Sequence, residues 1–138
     1  MALQLNAYIN VRDNARQALE FYHSVFGGGL TLNTFGDFHA SHDPADEGKI
    51  MHGQVDGDNG LVLMASDTPS GMEGIEGTNF SLALSGDDEP QLRGYFEALS
   101  DGGTVTMPLD RAPWGDIFGM CTDRFGVQWM VSIAQPAA

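Results

Sequence analysis

A chain of 138 residues, 42% of them apolar, is long enough to bury one core without staples and too apolar for a disordered segment. The net charge of −13, from 19 acidic and six basic side chains, argues against nucleic acid and anionic membranes as partners. A single cysteine, Cys121, excludes an internal disulfide and any cysteine-rich metal motif. The opening MALQLNAYINVRD lacks a basic stretch followed by a long apolar one, so no secretory leader is expected. No apolar run approaches the ~18 residues of a membrane span. The default expectation is one cytoplasmic domain over residues 1–138.

In chain order, LNAYINV (5–11) alternates as a strand, with Leu5, Ala7, Ile9 and Val11 on one face. NARQALEFYHSVFGGG (14–29) predicts an amphipathic helix on Ala18, Phe21, Tyr22 and Val25, stopped by Gly27 or Gly28. LTLNTF (30–35) is a strand, followed by a polar loop through about Glu47. KIMHGQV (49–55) and LVLMAS (61–66) flank DGDNG, a hairpin signal. The order then repeats. NFSLALS (79–85) is a strand, EPQLRGYFEALSDGG (89–103) a helix with Pro90 in its first turn, and TVTM (104–107), DIFGMC (116–121) and VQWMVSI (127–133) are strands.

The echo extends to single positions. A shift of 74 places Phe21 on Tyr95, Tyr22 on Phe96 and Gly28-Gly29 on Gly102-Gly103; a shift of 66 places Gly60 and Met64 on Gly126 and Met130. The expected fold is therefore α+β: two tandem βαβββ modules, about 3–67 and 77–134. Together they form an eight-stranded curved sheet with helices on the outer face and a ligand cavity on the other.

Strand parity selects the residues for that cavity. Asn6, Tyr8 and Asn10 alternate away from the helix side, as do Asn79, Ser81 and Ala83, while Phe80, Leu82 and Leu84 pack beneath the second helix. Pairing Val55 with Leu61 sets His52 opposite Met64, with Ser66 on the same face. Pairing Cys121 with Val127 sets Phe118 opposite Met130.

His52 is the titratable group of most interest: a general base, a metal ligand, or a pocket histidine that only hydrogen-bonds. A triad of Ser66, His52 and Asp67 fails, because adjacent strand residues point to opposite faces. His39, His42 and Asp43 in HASHD lie on a loop without fixed ligand geometry, followed by a solvent-bound PADEG. His23 belongs on the exposed side of its helix. Cys121 reads as a small core residue, and Trp129 and Val131 as core. Trp114, beside Pro113, is the better aromatic for ligand contact.

The duplicated module resembles the vicinal oxygen chelate superfamily of glyoxalase I, extradiol dioxygenases and the fosfomycin- and bleomycin-resistance proteins. EFYHSVFG, KIMHGQV, LVLMASD, DGGTVTMPL and PWGDIFGMCTDRFGVQW are similar to its PhnB-like branch, from about Leu5 to Ile133. That branch has also carried a demethylubiquinone methyltransferase label, but the GGG run (27–29) follows a helix and makes a poor cofactor-phosphate loop. The resemblance implies four metal-ligand positions, which fall at Asn6, Met64, Ser81 and Met130. Thioethers are soft, neutral donors, ill matched to a divalent ion held by hard ligands. No metal and no cofactor is therefore expected.

What remains is a pocket lined by Asn6, Tyr8, His52, Met64, Ser66, Ser81, Trp114, Phe118 and Met130, binding a small organic molecule. The resemblance implies a homodimer, and the apolar surface of an unpaired curved sheet points the same way. The rival reading is a lyase, isomerase or dioxygenase in which His52 is the acid/base or holds a relocated divalent metal.

Overall fold

The computed structural model describes residues 4–71, 77 and 79–136, and in them strand, helix and three strands run twice. The first set is β1 (Ala7–Val11), α1 (Ala15–Phe26), β2 (Gly29–Thr34), β3 (Ile50–Asp56) and β4 (Val62–Asp67). The second is β5 (Leu82–Gly86), α2 (Glu89–Ser100), β6 (Thr104–Arg111), β7 (Ile117–Thr122) and β8 (Gln128–Ile133). Each set forms a four-stranded sheet, ordered β1-β4-β3-β2 and β5-β8-β7-β6. In both, the first pair is parallel and the remaining pairs antiparallel. The fold is the expected pair of βαβββ modules. The chain divides into compact units at Met1–Glu76 and Gly77–Ala138.

Helix α1 buries Ala15, Ala18, Leu19, Tyr22 and Phe26, one stripe at helical spacing. Phe21 and Val25, expected on that stripe, are half-buried at its flanks. The helix stops at Gly27, whose φ of 70° few side chains tolerate and whose N–H donates to the His23 carbonyl. Leu19 sits so close over β3 that a Cβ on Gly53 would collide with its Cδ1 and would have to displace that side chain. At the other end Asn14 makes no side-chain cap. The Asp67 carboxylate, from the end of β4, accepts bonds from the N–H groups of Ala15 and Ile50, both at 2.9 Å. One buried acid thus ties the start of α1 to the start of β3.

Helix α2 is capped locally instead: Asp88 accepts from the Gln91 N–H at 3.1 Å, with Pro90 in the first turn. The helix packs Leu92, Phe96 and Leu99 on its sheet. Asp123, also buried, accepts from the Phe125 and Val127 N–H groups and from Trp129 Nε1, fixing the β7–β8 turn.

Two apolar assignments need correction. Leu5 is 100% exposed and Phe80 63%, because the strands begin at Ala7 and Leu82 and leave both residues outside the ladder. Strand β6 also runs past the expected TVTM to Arg111, with register shifts on either side of Met107. The second shift lies around Pro108, which has no N–H to give the ladder.

Candidate functional site

In the first unit the helix face of the sheet carries Ile9, Val55, Leu63 and Ala65, all buried. The other face carries the polar residues. Parity placed these residues correctly, but the register differs from the expected one. Val55 pairs with Leu63 rather than Leu61, and Cys121 with Trp129 rather than Val127. A 3-10 turn at Asp58–Gly60 lengthens the first hairpin loop, closed by the Gly57 N–H bonding the Leu61 carbonyl at 2.8 Å. The second hairpin closes the same way, Asp123 N–H to Val127 carbonyl at 2.8 Å. Each slip is two residues, so faces are kept and neighbours change.

His52 is consequently not opposite Met64. Gln54 is, and Tyr8 flanks Met64 on the other side. Across β1-β4-β3-β2, one row reads Tyr8, Met64, Gln54, Thr31. In the next row Asn10 pairs with Ser66, and Asn33 with His52. Ser66 Oγ donates to Asn10 Oδ1 at 3.1 Å, and His52 Nδ1 lies 3.4 Å from the Tyr8 hydroxyl with the rings 5.7 Å apart. Tyr8 is 45% exposed, His52, Gln54 and Met64 are half-buried, and Asn6 is exposed just before β1. This face offers hydroxyl, imidazole and amide groups within reach of one another. The bulge at Met51, between the Asn33–His52 and Thr34–Ile50 pairs, turns Ile50 back into the helix-side core.

The second unit presents softer chemistry. Met130 pairs with Ala83 and with Met120; Phe118 pairs with Ser132 rather than with Met130. Trp114 is 65% exposed and meets Phe118 edge-on, centroids 5.7 Å apart. Ser81, half-buried ahead of β5, lies 3.5 Å from Gln128 Oε1. Sequence reasoning missed Gln54 and Met120. Alternation by two from His52 reaches the first, and the 66-residue shift then reaches the second.

Several other residues are structural. Asp67 and Ser66 point to opposite faces, one to backbone N–H groups and the other to Asn10, so no triad exists. Cys121 is buried on the helix side, and burial pushes its thiol up, against a bond from Ser100. His23 bonds the Gly28 carbonyl through Nε2 at 2.9 Å and is half-buried rather than exposed. His39, His42 and Asp43 lie on an exposed loop. PADEG, however, is not wholly solvent-bound: Asp46 is buried, accepting from Ser70 and from Lys49. Those bonds, that from Lys49 first, hold its carboxyl below the usual range. Lys49, bridging Asp13 and Asp46 at 2.9 Å each, is pushed up to about 12. It lines a cleft of about 250 Å³ with Asp13, Arg16, Gln17 and Asp67.

The metal positions implied by the resemblance fail a test of donor chemistry. In the first unit they hold an amide at Asn6 and a thioether at Met64; in the second, a hydroxyl at Ser81 and a thioether at Met130. These neutral, partly soft groups do not fit a divalent ion that prefers imidazole and carboxylate. Among the described residues, no three His, Cys, Asp or Glu side chains are grouped as a metal-ligand set. No helix among them is long and apolar enough to cross a membrane.

A family model described as Glyoxalase/Bleomycin resistance protein/Dioxygenase superfamily matches residues 4–131. Among solved structures, protein PA1353 from Pseudomonas aeruginosa is 41% identical, with a TM-score of 0.82 over 98% of this chain and 100% of that one. A Bacillus cereus structure described as a putative 3-demethylubiquinone-9 3-methyltransferase, PhnB protein, is 23% identical, with a TM-score of 0.73 over 96% of this chain and 100% of that one. That likeness is one of fold. YjdN of Escherichia coli (strain K12) is 25% identical over 144 residues, 96% of this chain and 97% of that protein.

Proposed function

Because the chain belongs to the glyoxalase/bleomycin resistance protein/dioxygenase superfamily, we propose that it keeps the family's ligand-binding surface while dispensing with the divalent metal. Its ligand is a small organic molecule carrying both polar and apolar surface. The observation that carries this reading is the exchange of chemistry at one place. Neutral Met64 stands where the resemblance puts a metal ligand, and Tyr8, Gln54, His52, Ser66 and Asn10 surround it as hydrogen-bonding groups. Such a surface binds by shape and polar complementarity rather than by Lewis-acid activation. Asn6 belongs to the same surface in the first unit. In the second unit the residues of interest are Ser81, Trp114, Phe118 and Met130, with an aromatic edge at Trp114 and Phe118.

Assembly as a homodimer and a cytoplasmic location complete the proposal. Light scattering would return twice the mass of one chain, and a monomer at micromolar concentration would remove the dimer from it.

Elemental analysis of protein purified without a metal-affinity step, followed by titration with Zn, Ni, Mn and Fe(II), is the direct test. The expected result is no stoichiometric divalent ion, together with stabilisation by some members of a small-molecule library. A ligand present at 100 times its Kd raises stability by about 2.7 kcal/mol. One tightly held divalent ion per chain would overturn the reading.

A second reading rests on His52 and the Tyr8 hydroxyl, an imidazole and a phenol set side by side on an accessible face, 3.4 Å apart. In a lyase, isomerase or dioxygenase using it, His52→Ala would lower the rate by ~10²–10⁴-fold and leave binding in place. In a binding protein the same substitution changes affinity only modestly.

A further inference from the structure

Five methionines lie among the described residues, at positions 51, 64, 107, 120 and 130. Three of them form one continuous row in the second unit. Met107 of β6 pairs with Met120 of β7, and Met120 pairs with Met130 of β8. Residues directly opposite in antiparallel strands share a face, with Cβ atoms about 4.5–5.5 Å apart. The three side chains therefore rise side by side from adjacent strands. Rotation about two bonds, Cα–Cβ and Cβ–Cγ, places each sulfur, so rotamer changes alone can bring the outer two toward the central Met120. The row is accessible as well: Met107 is 46% exposed, and Met120 and Met130 are half-buried. The backbone beneath is irregular. Register shifts flank Met107 on both sides, and they bring it opposite Met120; carried on from the Val105–Cys121 pair, an unbroken ladder would set Met120 opposite residue 106 instead.

We infer that the row Met107–Met120–Met130 is a binding site for a soft monovalent cation, Cu(I) or Ag(I), held by three thioether sulfurs. Ligand softness decides the class. Thioethers are poor ligands for the divalent ions that imidazole and carboxylate hold, and they select Cu(I) and its heavier congener. Charge points the same way, since three neutral donors neutralise none of the ion's charge and so disfavour a divalent ion more than a monovalent one. A chain with a net charge of −13 supplies a favourable long-range potential for a cation. The first unit lacks the equivalent: Gln54 stands at the position of Met120 and Thr31 pairs with it. The inference concerns a site within one unit and does not depend on the organic-ligand reading.

Silver nitrate in chloride-free buffer is the probe, because Ag(I) needs no reductant. Protein labelled with ¹³C at the methionine methyls is titrated and followed by NMR. The expected result is saturation at one equivalent, with the methyl signals of Met107, Met120 and Met130 shifting and those of Met51 and Met64 unmoved. Met120→Leu keeps the apolar volume and weakens binding about tenfold or more. Met130→Leu acts likewise, whereas Met64→Leu and Cys121→Ser leave affinity unchanged. The remaining methyl signals report in the same spectra that each variant is folded. The inference is overturned if no methyl of the row shifts at several-fold excess of Ag(I). It is equally overturned if binding survives in Met120→Leu and disappears in Cys121→Ser.

Discussion

The two units share element order, strand order and hairpin register, yet their faces away from the helices differ in chemistry. The first carries Tyr8, Asn10, Thr31, Asn33, His52 and Gln54 around a single methionine. The second carries Ala83, Met107, Phe118, Met120 and Met130 at its centre, with Ser85, Thr122, Gln128 and Ser132 around them. Under the 66-residue shift the buried side keeps apolar character while its residues change (Val55 to Cys121, Leu63 to Trp129, Ala65 to Val131), and the other face keeps Met64/Met130 and Ser66/Ser132 but exchanges His52 for Phe118 and Gln54 for Met120. Gly53 and Gly119, 66 residues apart, both sit where a side chain would meet a neighbour too closely. Their neighbours Gln54 and Met120 have no chemistry in common.

Capping differs as well. Helix α1 is held by Asp67 from a distant strand, and helix α2 by Asp88 next to it in sequence. Position 133, the counterpart of Asp67 under the same shift, is a buried isoleucine.

Substitutions can break this comparison in descending order of effect. Asp67→Ala orphans the N–H groups of Ala15 and Ile50 together, and should cost about 2–5 kcal/mol in urea unfolding. A loss below that of an ordinary cap would mean water replaces the acid. Gly53→Ala forces a methyl onto Leu19, itself fully buried, and should cost about 1–3 kcal/mol by the same measurement. Asp88→Ala removes only a local cap, at about 1 kcal/mol. If it matched Asp67→Ala, the distinction between distant and local capping would fail.

The smallest expected effect is one of pH. Lys49 is raised from an ordinary 10.5 to about 12 by Asp13 and Asp46. Its contribution is complete below pH 10.5 and is lost as pH climbs toward 12. Asp46, shifted down, contributes above the ordinary carboxylate value of 3.8, and that contribution fades as pH falls through its lowered value. Thermal midpoints of the native chain and of Lys49→Met across both windows should converge at the alkaline end. Parallel curves there would mean the bridge contributes nothing.

Much of this was legible from residue pattern. Apolar alternation in LNAYINV placed Ile9 in the core, and helical spacing placed Ala18 and Tyr22 there. Parity put Tyr8, His52, Met64 and Ser66 on one face. The neighbours of Met64 were not legible, because a slip of two residues preserves parity and so leaves no trace in the pattern. The ends of strands were misread at Leu5 and Phe80, where apolar character continues past the ladder.

Sequence by itself determined the repeated βαβββ order, the stop of α1 at glycine and the thioethers at two of the four metal positions that the resemblance implies. These depend on local periodicity and residue chemistry, which travel with the chain. Tertiary structure alone decided that Gln54 flanks Met64, that Asp67 caps a helix 52 residues away and that three methionines from three strands stand in one row. Each of those is a long-range pairing whose register is set by loop geometry and by bulges, and no local pattern in the sequence encodes it.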